Sequence, residues 1–82
     1  MTDDKSPTIR ILDVQGVLCP LPVLKARKAM KSLKKGDILR LLATDPMAKI
    51  DVAHFCQENN HALRDQTEAA GVLIFEIEKE AG

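Results

Sequence analysis

The period of the hydrophobic residues switches repeatedly along this short chain, and that alternation limits the folds open to it. Residues 8–14, TIRILDV, set Ile9 and Ile11 on one side and Leu12 and Val14 on the other. This predicts a strand used on both faces, broken at Gly16. From residue 22 to residue 33 the period lengthens. Val23, Ala26, Met30 and Leu33 fall three or four apart and make one apolar stripe of a helix, with Lys25, Lys28, Lys31 and Ser32 largely off it. Lys34, Lys35 and Gly36 are expected to close that helix, with cations at its negative end and glycine in the left-handed cap. Residues 38–43, ILRLLA, read as a second strand. Thr44-Asp45-Pro46 then starts a second helix, with Asp45 able to cap and Pro46 at the first helical position, where its missing N–H costs nothing. This helix runs to about Asn59-Asn60 and buries Ala48, Val52, Phe55 and Cys56. Residues 61–67 give a weak third strand, Ala70-Gly71 a turn, and residues 72–78 a fourth strand in which Leu73, Phe75 and Ile77 alternate with Ile74, Glu76 and Glu78.

The expected fold is therefore α+β, in the order β-α-β-α-β-β. It is a two-layer α/β sandwich, a four-stranded mixed sheet with both helices on one face. The first two strands, joined through a helix, should be parallel with a right-handed crossover, and the last two should form a hairpin. Residues 1–8 read as a flexible N-terminal tail and residues 9–79 as a single domain. With 82 residues there is no room for a second core. No apolar stripe is left over in this assignment, which predicts a monomer.

Composition narrows the function classes. Twelve Lys and Arg balance twelve Asp and Glu, which argues against a general nucleic-acid coat. Trp and Tyr are absent and there are only two Phe, too few for a base-stacking platform. No apolar run approaches the roughly 20 residues of a membrane span. The first residues, MTDDKSPTIR, lack the basic and apolar regions of a secretory signal. Cys19 and Cys56 do not make the disulfide framework of a small secreted scaffold, so the expected setting is a reducing cytoplasm.

The sharpest local feature is Cys19-Pro20-Leu21-Pro22, between a strand end and a helix start. Each proline removes one of the amides that a helix N-terminus leaves unpaired. If Cys19 is the cap, the Leu21 amide is the main donor left to face its sulfur. If the helix begins at Pro22, Leu21 is the cap, which suits the bias of residues before proline. Either way the chain leaving Cys19 is stiffened and the sulfur stands near a positive helix end. That placement favours the thiolate by roughly 0.3–1 kcal/mol, lowering the thiol's pKa by up to about 0.7 from near 8.5. A free cysteine is also often a small buried hydrophobe. Two prolines directly after it are usual for a rigid loop and unusual for a core.

The remaining candidates divide between structure and chemistry. Cys56 falls on the apolar stripe of the second helix and reads as core. Asp45 follows the second strand as Cys19 follows the first, so parallel pairing puts the two at one sheet edge, where ligands and partners tend to meet such folds. A carboxylate there would oppose thiol ionisation, so partner contact or orientation of a nearby cation is its expected role. Cys19, Cys56, His54 and His61 lack paired metal-ligand spacing, and no metal is expected. No serine–histidine–acid set or glycine-rich phosphate loop is present.

The run Gly16-Val17-Leu18-Cys19-Pro20-Leu21-Pro22-Val23, with Arg27-Lys28, Lys35-Gly36-Asp37, Thr44-Asp45-Pro46 and Phe55-Cys56, resembles the TusA (SirA-like) sulfur-carrier family over nearly the whole chain. The resemblance implies the same β-α-β-α-β-β sandwich and a sulfurtransferase role in which Cys19 carries sulfane sulfur as a persulfide. It implies a cysteine desulfurase or rhodanese-like donor, a DsrE/TusD-like or similar acceptor protein, and no cofactor. By matched position, Pro20, Leu21, Pro22, Arg27 and Asp45 would shape the loop and meet partners. Leu21 stands where many tRNA-thiolating members have Glu and makes the tip more apolar. Both tRNA thiolation and dissimilatory sulfur oxidation fit. The competing reading is a non-catalytic RNA- or protein-binding module built on the basic run at residues 25–35, although direct nucleic-acid contact is not expected outside a larger complex.

Overall fold

The computed structural model describes residues 8–80, and their elements follow the expected order. Strand β1 (Ile9–Val14) leads to helix α1 (Leu21–Met30), strand β2 (Ile38–Ala43) and helix α2 (Ala48–Asn59). A hairpin of β3 (Ala62–Ala69) and β4 (Val72–Glu78) completes the chain. The sheet is ordered β1-β2-β4-β3, with β1 and β2 parallel and the other neighbours antiparallel. Residues 1–7 of the expected tail lie outside the described residues. Thr8 is tied in: its amide donates to Asp37 Oδ1 at 3.0 Å and its carbonyl accepts from the Ile38 amide at 2.8 Å.

Alternation along the strands explains the layering. Leu39, Leu41 and Ala43 of β2, and Leu73, Phe75 and Ile77 of β4, turn to one face and are buried there with Val14. Ala26, Ala29 and Met30 of α1, then Leu33, pack on this face beside Ala48, Val52, Phe55 and Cys56 of α2. Both helices thus share one side of the sheet. Each large aliphatic so buried contributes about 1.5–3 kcal/mol by leaving water.

Local chemistry moved several boundaries. Strand β1 is covered on one face only: Ile9 and Ile11 are 49% and 60% exposed. They meet Ile38 on the open sheet face, and beyond the Arg40–Glu76 ion pair lie Leu42 and its partner Ile74, all three aliphatics half-buried. Apolar side chains are therefore left on the open face, which removes the premise from which a monomer was expected. Helix α1 stops at Met30 rather than Leu33, because the Ser32 and Leu33 amides turn back to carbonyls three residues earlier, at 3.1 Å each. Lys79 Nζ, from the end of β4, donates to the Met30 and Leu33 carbonyls at 2.8 and 2.7 Å, while Lys34 and Lys35 stay exposed. Gly36 has a positive φ of 93° but serves the turn closed by the Asp37 amide on the Lys34 carbonyl, not a helix cap. Strand β3 runs on to Ala69 because the hairpin turn is tight. Ala70 and Gly71, at φ 52° and 82°, fill the two positions of a turn that needs left-handed backbone at both.

Candidate functional site around Cys19

Because β1 and β2 are parallel, the connections leaving them meet at one edge of the sheet. The Gly16 amide donates to Thr44 Oγ1 at 2.8 Å, and the Cys19 amide donates to Asp45 Oδ2 at 2.6 Å. Asp45 is thus beside Cys19 as expected, but its carboxylate serves backbone. Its other oxygen, Oδ1, accepts from the Met47 amide at 3.0 Å, and the residue is only 8% exposed. These two amides hold the Asp45 carboxyl below its usual range. They also explain why α2 starts at Ala48 rather than Pro46: the Asp45 side chain closes a turn over Pro46 and Met47 before the helix begins. Asp45 therefore shapes the loop, with both carboxylate oxygens taken up by backbone amides.

Neither expected cap of α1 is the observed one. Pro20 occupies the cap position with no side-chain hydrogen bond, and Pro22 sits buried at the helix start. The Leu21 amide, expected to face the sulfur, donates to the Leu18 carbonyl at 2.9 Å, and the first helical bond runs from the Leu24 amide to the Pro20 carbonyl at 3.3 Å. The Cys19–Pro20 peptide bond is cis. With its own amide on Asp45 and the Leu21 amide on Leu18, the sulfur gets no help from the local donors that would have favoured a thiolate.

The thiol instead meets α2. Cys19 is exposed and lines a cleft of about 150 Å³ with Pro20, Val23 and Arg27 from its own side, and Asp51, His54, Phe55 and Glu58 from α2. A hydrogen bond to the Asp51 carboxylate raises the Cys19 pKa above the ordinary thiol value, with partial desolvation and the negative charges of Asp51 and Asp45 acting in the same direction. This reverses the expected shift: nearby carboxylates outweigh a helix dipole whose amides point elsewhere. Arg27 closes the cleft on the other side, its guanidinium carbon 6.0 Å from the centre of the Phe55 ring. His54 Nε2 lies 3.4 Å from Glu58 Oε2.

Five exposed aliphatic or thioether side chains surround this end of the molecule. Leu18 and Leu21 flank Cys19, Leu24 follows one turn into α1, and Met47 and Ile50 stand at the start of α2. Leu21 was expected at the tip. The other four were not, because they fall off the core stripes and look incidental in sequence. The basic run at 25–35 is not one face: Lys25 and Lys28 line a cleft with Arg10, whereas Arg27 and Lys31 line another with Lys79. Among the described residues no group of three or more His, Cys, Asp or Glu is placed to hold a metal ion, and no helix is long and apolar enough to cross a membrane.

Cys56, by contrast, is buried in α2, and desolvation pushes its thiol up to about 11.

Comparison with known proteins covers nearly the whole chain. Residues 10–79 match the family model described as sulfurtransferase TusA. A homologue from Neisseria meningitidis is 43% identical over 67 residues, 82% of this chain and 90% of its own length. The sulfur carrier protein TusA of Pseudomonas paraeruginosa is 37% identical over 75 residues, 92% of this chain and 95% of its own. The crystal structure of a SirA-like protein from Desulfitobacterium hafniense superimposes with a TM-score of 0.76 over 90% of this chain and all of that one, at 20% identity, which speaks for the fold.

Proposed function

Because this chain belongs to the sulfurtransferase TusA family, we propose that it is a cytoplasmic sulfur carrier whose Cys19 takes sulfane sulfur from one protein and yields it to another. The observation that carries this reading is the exposure of Cys19 in a braced loop, ringed by apolar side chains. Transfer of a sulfur atom is an exchange at sulfur. A thiolate attacks the outer sulfur of a persulfide, and a second thiolate leaves, so both sulfurs must approach in line and the carrier's must be reachable. Pro20 and Pro22 fix the chain on the far side of the cysteine, and Asp45 fixes its amide on the near side. The side chain is thereby held outward without a second cysteine to resolve it.

Leu18, Leu21, Leu24, Met47 and Ile50 form a contact area on which a partner can seat its own cysteine, and Arg27 supplies a cation at its border. A patch this small suits transient encounters rather than a permanent complex. A cysteine desulfurase or a rhodanese-like protein is the donor and a DsrE/TusD-like or similar protein the acceptor, serving dissimilatory sulfur oxidation or tRNA thiolation. The apolar Leu21 at the tip selects partners with an apolar rim around the reacting cysteine.

Incubation with a cysteine desulfurase and cysteine, followed by intact mass measurement, tests the proposal. Wild type gains one or more sulfur masses and Cys19→Ser gains none. Loading that persists in Cys19→Ser and disappears in Cys56→Ser would overturn it.

A further inference from the structure

The cleft beside Cys19 contains one acidic group beside the reacting sulfur that a simple carrier does not need. Asp51 sits in the first turn of α2 and lines the same cleft as the Cys19 thiol. The other charged or titratable groups facing the sulfur are placed differently. Asp45, from the connection after β2, has an oxygen on each of two backbone amides. On α2, His54 and Glu58 lie against each other. Arg27, on α1, stacks toward Phe55. Of the carboxylates lining the cleft, Asp51 is the one with no ion-pair or backbone partner among the described residues.

Resting on the sulfur-carrier reading, we propose that Asp51 is a catalytic residue that takes the Cys19 proton as sulfur is loaded and returns one as it leaves. As Cys19 Sγ attacks the outer sulfur of the donor's persulfide, its proton passes to the Asp51 carboxylate. A sulfur–sulfur bond forms at Cys19 while the bond between the donor's two sulfurs breaks. The donor cysteine departs with the electron pair of that bond and takes the proton from Asp51. Overall, a thiol and a persulfide become a persulfide and a thiol, and no external oxidant or reductant is consumed. In the second half, the acceptor's thiol gives its proton to the Asp51 carboxylate as its sulfur attacks the outer sulfur on Cys19. The bond between that outer sulfur and Cys19 Sγ breaks, and Cys19 leaves with its electron pair and takes the proton from Asp51.

The electrostatics favour this arrangement once a partner is seated. Thiol plus carboxylate carries one negative charge, and so does thiolate plus carboxylic acid, so proton transfer relocates a charge without creating one. A partner covering the apolar ring removes water from the cleft, and a carboxylate without water holds a proton more firmly. In the undocked protein the proton stays on sulfur. The nucleophile is thus exposed where the partner can supply the dry environment, and quiescent elsewhere.

The test compares wild type with Asp51→Asn, Asp51→Glu and His54→Gln, each measured two ways. Single-turnover loading from a cysteine desulfurase is followed by intact mass across neutral to alkaline pH, and Cys19 alkylation by iodoacetamide is timed at neutral pH. Asp51→Asn is expected to load roughly 100-fold more slowly, at the lower end of what general acid–base catalysis contributes. Its loading should rise with pH as solvent replaces the missing base. The same variant should alkylate faster than wild type, because the carboxylate that held the proton on sulfur is gone, and Asp51→Glu should recover part of the loading rate. Wild-type loading in Asp51→Asn, a parallel loss of loading and alkylation, or a loss confined to His54→Gln would each overturn the assignment. Failure of the wild type to load, or loading of Cys19→Ser, would instead remove the carrier reading itself.

Discussion

The two cysteines are both held as thiols, by different means. Around Cys56 the means is burial: the residue is 4% exposed in the core between α2 and the sheet, and desolvation pushes its thiol up to about 11. Around Cys19 the means is the Asp51 carboxylate of a neighbouring helix, which accepts from a thiol standing in water. Burial can be undone only by unfolding. A hydrogen bond at the surface can be rearranged by whatever docks there. The same protonation state is therefore permanent at one site and conditional at the other.

The largest expected difference is in accessibility. With iodoacetamide under native conditions, Cys19 should react about 1,000-fold or more faster than Cys56, since opening the core that far costs on the order of 4 kcal/mol or more. Peptide mapping after brief labelling checks this, and equal labelling would erase the distinction. Next is stability. Cys56→Ser places a hydroxyl among Val52, Phe55 and the sheet and should cost about 1–3 kcal/mol in urea unfolding, whereas Cys19→Ser should stay within about 0.5 kcal/mol of wild type. A third test uses acid. Backbone amides hold both Asp45 and Asp37 below the usual carboxylate range. For a group whose folded pKa is depressed, the stabilisation is present above the unfolded value near 3.9 and is lost as pH falls through the folded value. Stability should therefore drop below about pH 4, and Asp45→Asn should flatten that drop. The same variant should disorder the Cys19 loop and slow sulfur loading while leaving Cys56 protected. The smallest effect lies farthest from either thiol. Ala70 adopts left-handed backbone, so Ala70→Gly should stabilise the hairpin by roughly 0.5–1 kcal/mol and leave sulfur loading unchanged.

Much of this was legible in the sequence because it depends on local pattern. The alternation in residues 72–78, the Asp-Pro turn and the helical stripes mark the elements, and parallel pairing of the first two strands is enough to bring Asp45 to Cys19. The direction of the Cys19 shift was not legible from its own loop. Reading Cys19 with its neighbours predicts a helix-end thiolate, because the decisive carboxylate comes from the first turn of α2. The signal was present in principle. Acidic residues favour first turns, and two helices that follow parallel strands begin side by side, which places Asp51 opposite Cys19. The length of α1 was misjudged because the cation that meets its last carbonyls is Lys79, which approaches from the far end of the chain. Strand β1 looked two-sided because Ile9 and Ile11 are as apolar as Leu12 and Val14. Only the one-sided layering distinguishes them.

The contact between Asp51 and Cys19 also bears on the idle protein. Hydrogen peroxide oxidises cysteine through the thiolate, and the sulfenic acid it makes can go on to irreversible forms. An exposed sulfur that keeps its proton between encounters offers peroxide little to attack, so the molecule can circulate unladen for long periods and remain fit for its next delivery.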